Sequence, residues 1–307
     1  MDYKDFAELI KAVKDFPSVK RMAVVAAEDR NTLEAVLHAQ KEGVVSPILI
    51  GREAKILEIL KEMGADASEI DVINEPDPEN GAACAVSLFN EGKADFLMKG
   101  KLDSAVLLRA VANKKTGLGK GGIMSSFMLF QVPNYHKLIS VVDGGMVAYP
   151  TLEEKKAIIE NTVDALRDLG YVCPKVAVLA CVEKVNPKMP ETVEADALAQ
   201  MNRRGEIKNC VVEGPLSYDC AMSREIAEYK GLKSKIAGDV DILVAPNIHT
   251  ANIMGKVMTV TAKGKMAGYI VGAKCPIVLA SRWTSAEEKY LSIIISAASM
   301  KRVNKNV

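Results

Sequence analysis

Met22-Ala-Val-Val-Ala-Ala27, an amphipathic stretch from Arg30 to Glu42, and Pro47-Ile-Leu-Ile-Gly51 read in order as strand, helix and strand. Strands that follow each other through a helix of that length run parallel, because an antiparallel pair needs only a short turn. The alternation continues. Glu53 to Met63 reads as helix, Asp71-Val-Ile-Asn74 as strand, Glu79 to Glu91 as helix, Ala94-Asp-Phe-Leu-Met98 as strand and Ser104 to Asn113 as helix. The class this predicts is α/β, with mostly parallel strands joined by right-handed crossovers.

The glycine-rich run Thr116-Gly-Leu-Gly-Lys-Gly-Gly122 interrupts the pattern and reads as a hinge. A second series follows. Strands are expected at Leu138–Val142, Lys175–Cys181, Cys210–Val212, Asp241–Ala245, Lys265–Val271 and Ile277–Ala280. Helices are expected at Leu152–Leu169, Glu191–Met201, Ser223–Tyr229, Thr250–Ala262 and Glu287–Met300. In the last of these, Ile293-Ile-Ile-Ser-Ala favours burial on two sides. No short repeat and no low-complexity tract is present.

Composition narrows the function. Apolar residues make up 49% of 307, enough for a sizeable core, and 40 basic against 39 acidic side chains leave a formal charge of +1. No broad basic field exists to hold nucleic acid or a membrane surface, so an anionic ligand must be gripped by a few focused cations. The start, Met1-Asp-Tyr-Lys-Asp-Phe6, lacks a signal-peptide apolar region, and no apolar run is long enough to span a membrane. Six scattered cysteines without a CxxC pair, and three separated histidines, fit reduced thiols in a cytoplasmic core. They give no metal centre.

Chemistry is expected where apolar runs end, since ligands of α/β sheets sit at the carboxyl ends of strands. Cys275-Pro-Ile-Val-Leu-Ala-Ser281-Arg282 stops at a hydroxyl and a guanidinium, and an acidic helix start with Glu287 and Glu288 follows. Arginine grips phosphate in a planar fork, and serine can donate to a developing oxyanion. Phe96-Leu-Met-Lys99-Gly100 puts a cation and a permissive backbone at another strand end, with Arg109 on the next helix. Val212-Glu213-Gly-Pro-Leu-Ser217-Tyr-Asp219 runs from strand through a sharp turn to a helix start, where Asp219 can be a cap. Pro246-Asn-Ile-His-Thr250-Ala-Asn252-Ile-Met-Gly-Lys256 repeats that arrangement. Gly117-Leu-Gly-Lys-Gly-Gly122 has no strand before it, so it is neither a dinucleotide fingerprint nor a P-loop, and no Gly-x-Ser-x-Gly elbow occurs.

Leu97-Met-Lys-Gly-Lys101, Val185-Asn-Pro-Lys-Met-Pro190, Arg203-Arg-Gly-Glu-Ile-Lys208, Glu213-Gly-Pro-Leu216, Asn252 with Lys256, and Ser281-Arg282 together resemble the phosphate acetyltransferase and phosphate butyryltransferase family. The compact length and the Asn-Pro-Lys-Met-Pro segment are closer to the butyryl branch. The resemblance implies two α/β domains, mostly parallel sheets with helices on both faces, in an isocitrate dehydrogenase-like architecture with an interdomain cleft. It implies a first domain of residues 1–120 plus 271–307 and a second of 121–270. The implied reaction exchanges a short acyl group between CoA and inorganic phosphate by direct transfer in a ternary complex. CoA is then a substrate and no cofactor is required. The chain would be a cytoplasmic homo-oligomer, at least a dimer.

Roles follow by position from the same resemblance. Ser281 donates to the tetrahedral oxyanion, Arg282 holds phosphate and balances charge, and Glu288 is the acid at the family's base position. Lys99, Gly100, Arg109, Glu213, Asn252 and Lys256 bind substrate. Glu287 and Glu288 also suit a helix N-terminus on dipole grounds alone. Trp283, Thr250-Ala251 and Asp143-Gly-Gly-Met146 depart from the pattern of relatives, and Trp283 suits an interface filler. Rival readings are a phosphate acetyltransferase, a non-catalytic acyl-CoA-binding relative, and a metal-dependent dehydrogenase, for which no aspartate cluster is evident.

Overall fold

The structure, a computed structural model, describes residues 2–13, 18–281 and 284–300. Two compact units emerge: Ile10–Gly122 with Ala267–Val307, and Met1–Leu9 with Ile123–Met266. We call them the first and second unit. One boundary falls at the end of the glycine-rich run.

In chain order the elements begin with α1 (Phe6–Val13), β1 (Lys20–Val25), α2 (Arg30–Lys41), β2 (Val45–Gly51), α3 (Glu53–Glu62), β3 (Asp71–Asn74), α4 (Pro78–Asn90), β4 (Phe96–Lys99) and α5 (Ser104–Val111). Then come β5 (Ser125–Gln131), β6 (Ile139–Val142), α6 (Leu152–Asp168), β7 (Lys175–Leu179), α7 (Pro190–Arg203), β8 (Val211–Leu216), α8 (Tyr218–Met222), α9 (Arg224–Tyr229), β9 (Ile242–Val244) and α10 (Ile248–Lys256). A π turn at Val257–Thr261 continues α10, and β10 (Lys265–Val271), β11 (Ile277–Val278) and α11 (Ala286–Ser299) complete the order.

The first unit orders its strands β3-β2-β1-β4-β11-β10. All pairs are parallel except β10 with β11. The second orders β5-β6-β9-β7-β8, parallel except β5 with β6. Both are the mixed, mostly parallel α/β arrangement that the alternation predicts. Helix starts obey local chemistry. Asp77 accepts from the Glu79 and Asn80 amides, with Pro78 at the first helical turn of α4. Thr151 and Glu154 form a reciprocal capping box on α6.

The first unit's core is the buried faces of its central strands, with Val24, Leu49, Ile50, Leu97 and Met98 fully enclosed. Helix α11 is buried from Lys289 to Ser299. Its serines survive there because each hydroxyl donates back along the helix, Ser292 to the Glu288 carbonyl at 2.8 Å and Ser296 to that of Ser292 at 2.7 Å. In the second unit Ile139, Val141, Ala177, Leu216 and Leu243 form one apolar cluster.

The N-terminal residues depart from the expected boundaries. Residues 1–9 lie with the second unit, because Tyr3 donates its hydroxyl to the Leu169 carbonyl at 2.7 Å and its own carbonyl accepts from the Leu138 amide at 2.8 Å. Strand β5, absent from the sequence reading, supplies the antiparallel edge of this unit. Among the described residues no helix is long and apolar enough to cross a membrane, and all six cysteines are free thiols.

Candidate active site

In the first unit β4 and β11 are parallel neighbours, with Leu97 opposite Ile277 and Met98 opposite Val278. Lys99 and Gly100 therefore end one strand where Leu279 to Ser281 leave the next. Two of the expected blocks, far apart in sequence, share a carboxyl edge. Lys99 is buried, and its ammonium donates to the Leu102 carbonyl at 3.2 Å. Gly100 donates its amide to the Val25 carbonyl at 2.8 Å, and the Lys101 amide reaches the Ala26 carbonyl at 2.8 Å. A Cβ on Gly100 would sit 2.1 Å from that Ala26 oxygen. The turn is thus pressed onto the end of β1, which is why the residue after the lysine has no side chain.

Ser281 is exposed, and its carbonyl accepts from the Thr284 amide at 3.1 Å. Arg282 and Trp283 lie outside the described residues. Arg109, in the last turn of α5, is exposed and paired with Glu79 of α4 at 3.1 Å. Exposed pairs are worth about 0.2–1 kcal/mol, so Arg109 can exchange Glu79 for an anion at little cost. Glu288 is the third residue of α11. Its Oε2 accepts from the Ser285 amide at 3.2 Å and hydroxyl at 3.1 Å, while its amide donates to the Ser285 hydroxyl at 3.2 Å. Ser285-Ala-Glu-Glu288 is a capping-box signature, and Oε1 takes no part in the box.

The other three candidates lie in the second unit. Glu213 is in β8, and its carboxylate accepts from the Ser234 hydroxyl at 2.5 Å and the Lys235 amide at 2.9 Å. It clamps the loop before β9. Asn252, on α10, donates its side-chain amide to the Gly144 carbonyl at 3.0 Å. The Gly144 turn is built around buried Asp143, which accepts from the Gly145, Met146 and Val147 amides at 2.9–3.2 Å and from the Ser126 hydroxyl. The glycines that looked like departures are therefore the corner of an aspartate-centred turn. Lys256 is exposed at the end of α10.

Sequence reading missed the charged cluster around Ser217. Ser217 donates to Glu183 and lies 2.5 Å from Asp219, and the Lys230 ammonium sits 3.1 Å from Glu183 and 2.9 Å from Asp219. The Ser217 hydrogen bond, then Lys230, draws the Asp219 carboxyl down to about 2 and also lowers Glu183, while Asp219 and Glu183 raise Lys230. Ligand atoms of Glu183, Asp219 and Cys220 lie within 4.8 Å of one another, but the cation the two carboxylates hold is the lysine. The only sequence signal was Ser217-Tyr-Asp219, because Glu183 and Lys230 come from distant loops.

The depressed Asp219 value gives a sign for acid behaviour. A lowered carboxyl contributes stability above its unfolded pKa and loses it as pH falls through the folded one. Stability is expected to decline from about pH 4 towards the Asp219 value of about 2. In urea titrations across that window, Asp219→Asn should flatten the slope; an unaltered slope would mean that the cluster does not couple to folding.

Residues 78–297 match a family model described as phosphate acetyl/butaryl transferase. The chain is 42% identical to a phosphate butyryltransferase of Clostridium acetobutylicum, over 96% of this chain and 97% of that one. It is 41% identical to a phosphate acetyltransferase of Thermotoga maritima, over 91% of this chain and 94% of that one. Among solved structures, a branched-chain phosphotransacylase from Enterococcus faecalis superposes with a TM-score of 0.83 at 29% identity, over 92% of this chain and 99% of that one.

Proposed function

We propose that the chain, which belongs to the phosphate acetyl/butyryl transferase family, exchanges a short acyl group, butyryl by preference, between CoA and inorganic phosphate. The observation that carries this reading is the 42% identity to a phosphate butyryltransferase along almost the whole of both chains. In the acyl phosphate direction a phosphate oxygen attacks the thioester carbonyl. The C–O bond forms, the tetrahedral oxyanion collapses, and the C–S bond breaks to release CoA thiolate, which takes up a proton. In reverse the CoA thiol must first lose its proton, and a thiol near pKa 8.5 is mostly protonated at neutral pH, so a nearby carboxylate helps.

In this reading Ser281 donates to the oxyanion and Arg282 and Arg109 hold phosphate. Glu288 is the base through Oε1 while Oε2 stays in the capping box. Lys99 and Gly100 shape the anion site, and Glu213, Asn252 and Lys256 belong to the substrate-binding set. The location of Lys99, Gly100 and Ser281 on adjacent strand ends supports a shared site. The reading also takes the chain as a cytoplasmic homo-oligomer of two α/β domains.

The test is thiol release from acyl-CoA in the presence of phosphate. Two extra buried methylenes at about 0.8 kcal/mol each favour butyryl over acetyl by roughly 15-fold in kcat/KM. The likeness to a phosphate acetyltransferase at 41% identity supports the alternative of acetyl preference, which would reverse that ratio. No release with any chain length would sink the assignment. Ser281→Ala should lower kcat on the order of 10²-fold with little change in KM, as for one lost oxyanion donor. An unchanged kcat removes Ser281 from the mechanism.

A further inference from the structure

Lys289 is out of place by ordinary rules. It is the fourth residue of α11, near the positive end of the helix dipole, and its side chain is 5% exposed. A buried ammonium there needs a partner, and a well-packed apolar side chain often serves stability as well or better. Its partners lie some 260 residues away. The ammonium donates to Asp29 Oδ2 at 2.9 Å and to the Thr32 hydroxyl at 3.0 Å. Asp29 is the N-cap of α2, where Oδ2 also accepts from the Thr32 amide at 3.0 Å. Burial pushes the Asp29 carboxyl up, but the hydrogen bonds from Thr32 and Lys289 outweigh it and hold it below the ordinary range.

The loop that carries Asp29 is the one beneath the Lys99–Gly100 turn. Asp29 donates its amide to the Ala27 carbonyl at 2.7 Å, and Ala26, in a left-handed conformation, presents its carbonyl to Lys101. Lys289 itself follows Glu288 directly, at the end of the segment that begins with Ser281. The ion pair, with its ammonium buried and its carboxylate partly exposed, thus ties the start of α11 to the segment after β4 through the end of β1. The next residue, Tyr290, attaches α11 to the other end of α2. The Tyr290 hydroxyl donates to Glu42, its ring stacks on His38 at 4.1 Å, and Ile293 to Ile295 are fully buried.

We propose that Lys289 and Asp29 form a positioning pair for acyl transfer, setting the first turn of α11 so that Glu288 and Ser281 stand in register with the Lys99–Gly100 turn. This rests on the function proposed above. Neither residue touches substrate; both act through the segments they hold. Removing the ammonium leaves the rest of α11 anchored by Tyr290 and the isoleucines, so the effect falls on geometry at the helix start. Small misplacements of reacting groups cost large factors in rate.

The experiment uses the full-length protein with butyryl-CoA and phosphate, separating kcat from KM. Lys289→Met keeps the length of the stem, Lys289→Arg keeps the charge, and Asp29→Asn keeps a good N-cap. Lys289→Met and Asp29→Asn are each expected to lower kcat by roughly ten- to a hundredfold with both KM values within about twofold. Lys289→Arg should recover much of the loss, and the Met–Asn double variant should be no worse than either single, as for a coupled pair. Amide exchange should quicken in residues 286–289 and stay slow from Ile293 onward. A folded Lys289→Met protein with wild-type kcat, or an equal loss in Lys289→Arg, would overturn the positioning role while wild-type turnover leaves the reaction intact. Absence of wild-type turnover would instead overturn the assigned reaction, and the proposal with it. If Lys289→Met does not fold, Asp29→Asn carries the same expectations.

Discussion

Lys137→Met is expected to lower the stability of the protein by about 3–5 kcal/mol, the cost of removing one partner from a buried ion pair. The Lys137 side chain is 3% exposed, and its ammonium lies 2.7 Å from Asp241, 2.8 Å from Asp239 and 3.4 Å from Asp2. It also donates to the Asp239 carbonyl at 3.0 Å. Asp241 is as buried as the lysine, and its second oxygen accepts from the Lys175 amide at 2.7 Å. Methionine preserves the stem and deletes only the charge, leaving three carboxylates around an apolar end. Lys175, which also pairs with Asp239, cannot replace it as a counter-charge from inside.

Burial works against the Lys137 ammonium, but Asp241 and then Asp239 outweigh it and hold the amine above its ordinary value. Burial pushes the Asp241 carboxyl up, so Asp241 is the residue that loses most when the lysine goes. A raised lysine contributes fully below its unfolded pKa of about 10.4 and loses that contribution as pH rises through the folded value. The stabilisation should therefore persist through neutral and moderately alkaline pH. The urea midpoint reads the effect, and adding Asp241→Asn to Lys137→Met should restore part of it. A Lys137→Met protein with the wild-type midpoint would show that the network adds nothing to folding.

Gly100→Ala is the second large expectation, and it strikes both stability and rate. The new methyl would meet the Ala26 oxygen at 2.1 Å and the Val25 oxygen at 2.9 Å. Both atoms are backbone and both are hydrogen-bonded to this same turn, so neither can swing aside as a flexible side chain would. Relief requires the β1 and β4 ends to part, losing about two hydrogen bonds at about 1 kcal/mol each on top of about 1–3 kcal/mol of overpacking. A loss of about 3 kcal/mol or more and a fall in kcat/KM of well over tenfold are expected. The contrast is Gly119, whose Cβ would meet nothing within 4 Å and whose backbone is not left-handed. Steady-state kinetics and a thermal melt on Gly100→Ala decide the matter. Wild-type values in both would mean that the turn has room that the close contact denies.

Much of the architecture was legible because its signals are local. The apolar runs at Met22, Pro47, Phe96 and Ile277 all became strands, and the amphipathic stretches became helices whose starts fall within two residues of the expected ones. Strand β5 was not legible. Ser125-Ser-Phe-Met-Leu-Phe-Gln131 follows a glycine run and pairs antiparallel, outside the strand–helix rhythm that exposed the rest. Helix α1 escaped for a related reason, since the charged start of the chain carries no flanking strand to frame it.

The candidate site divides along the same line. That Lys99, Gly100 and Ser281 lie at or just past the ends of neighbouring strands followed from where apolar runs stop. What each polar group is committed to did not follow. Glu213 holds the Ser234–Lys235 loop, Arg109 pairs with Glu79, Asn252 braces Gly144, and Lys289 reaches Asp29.

Periodicity, turn residues and caps depend on a few neighbouring positions, so the chain alone determined an α/β fold of mostly parallel strands, with chemistry at their ends. A hydrogen-bond partner depends on which distant segments the fold brings within about 3 Å. Only the tertiary structure decided which charges of this protein are occupied, and by what.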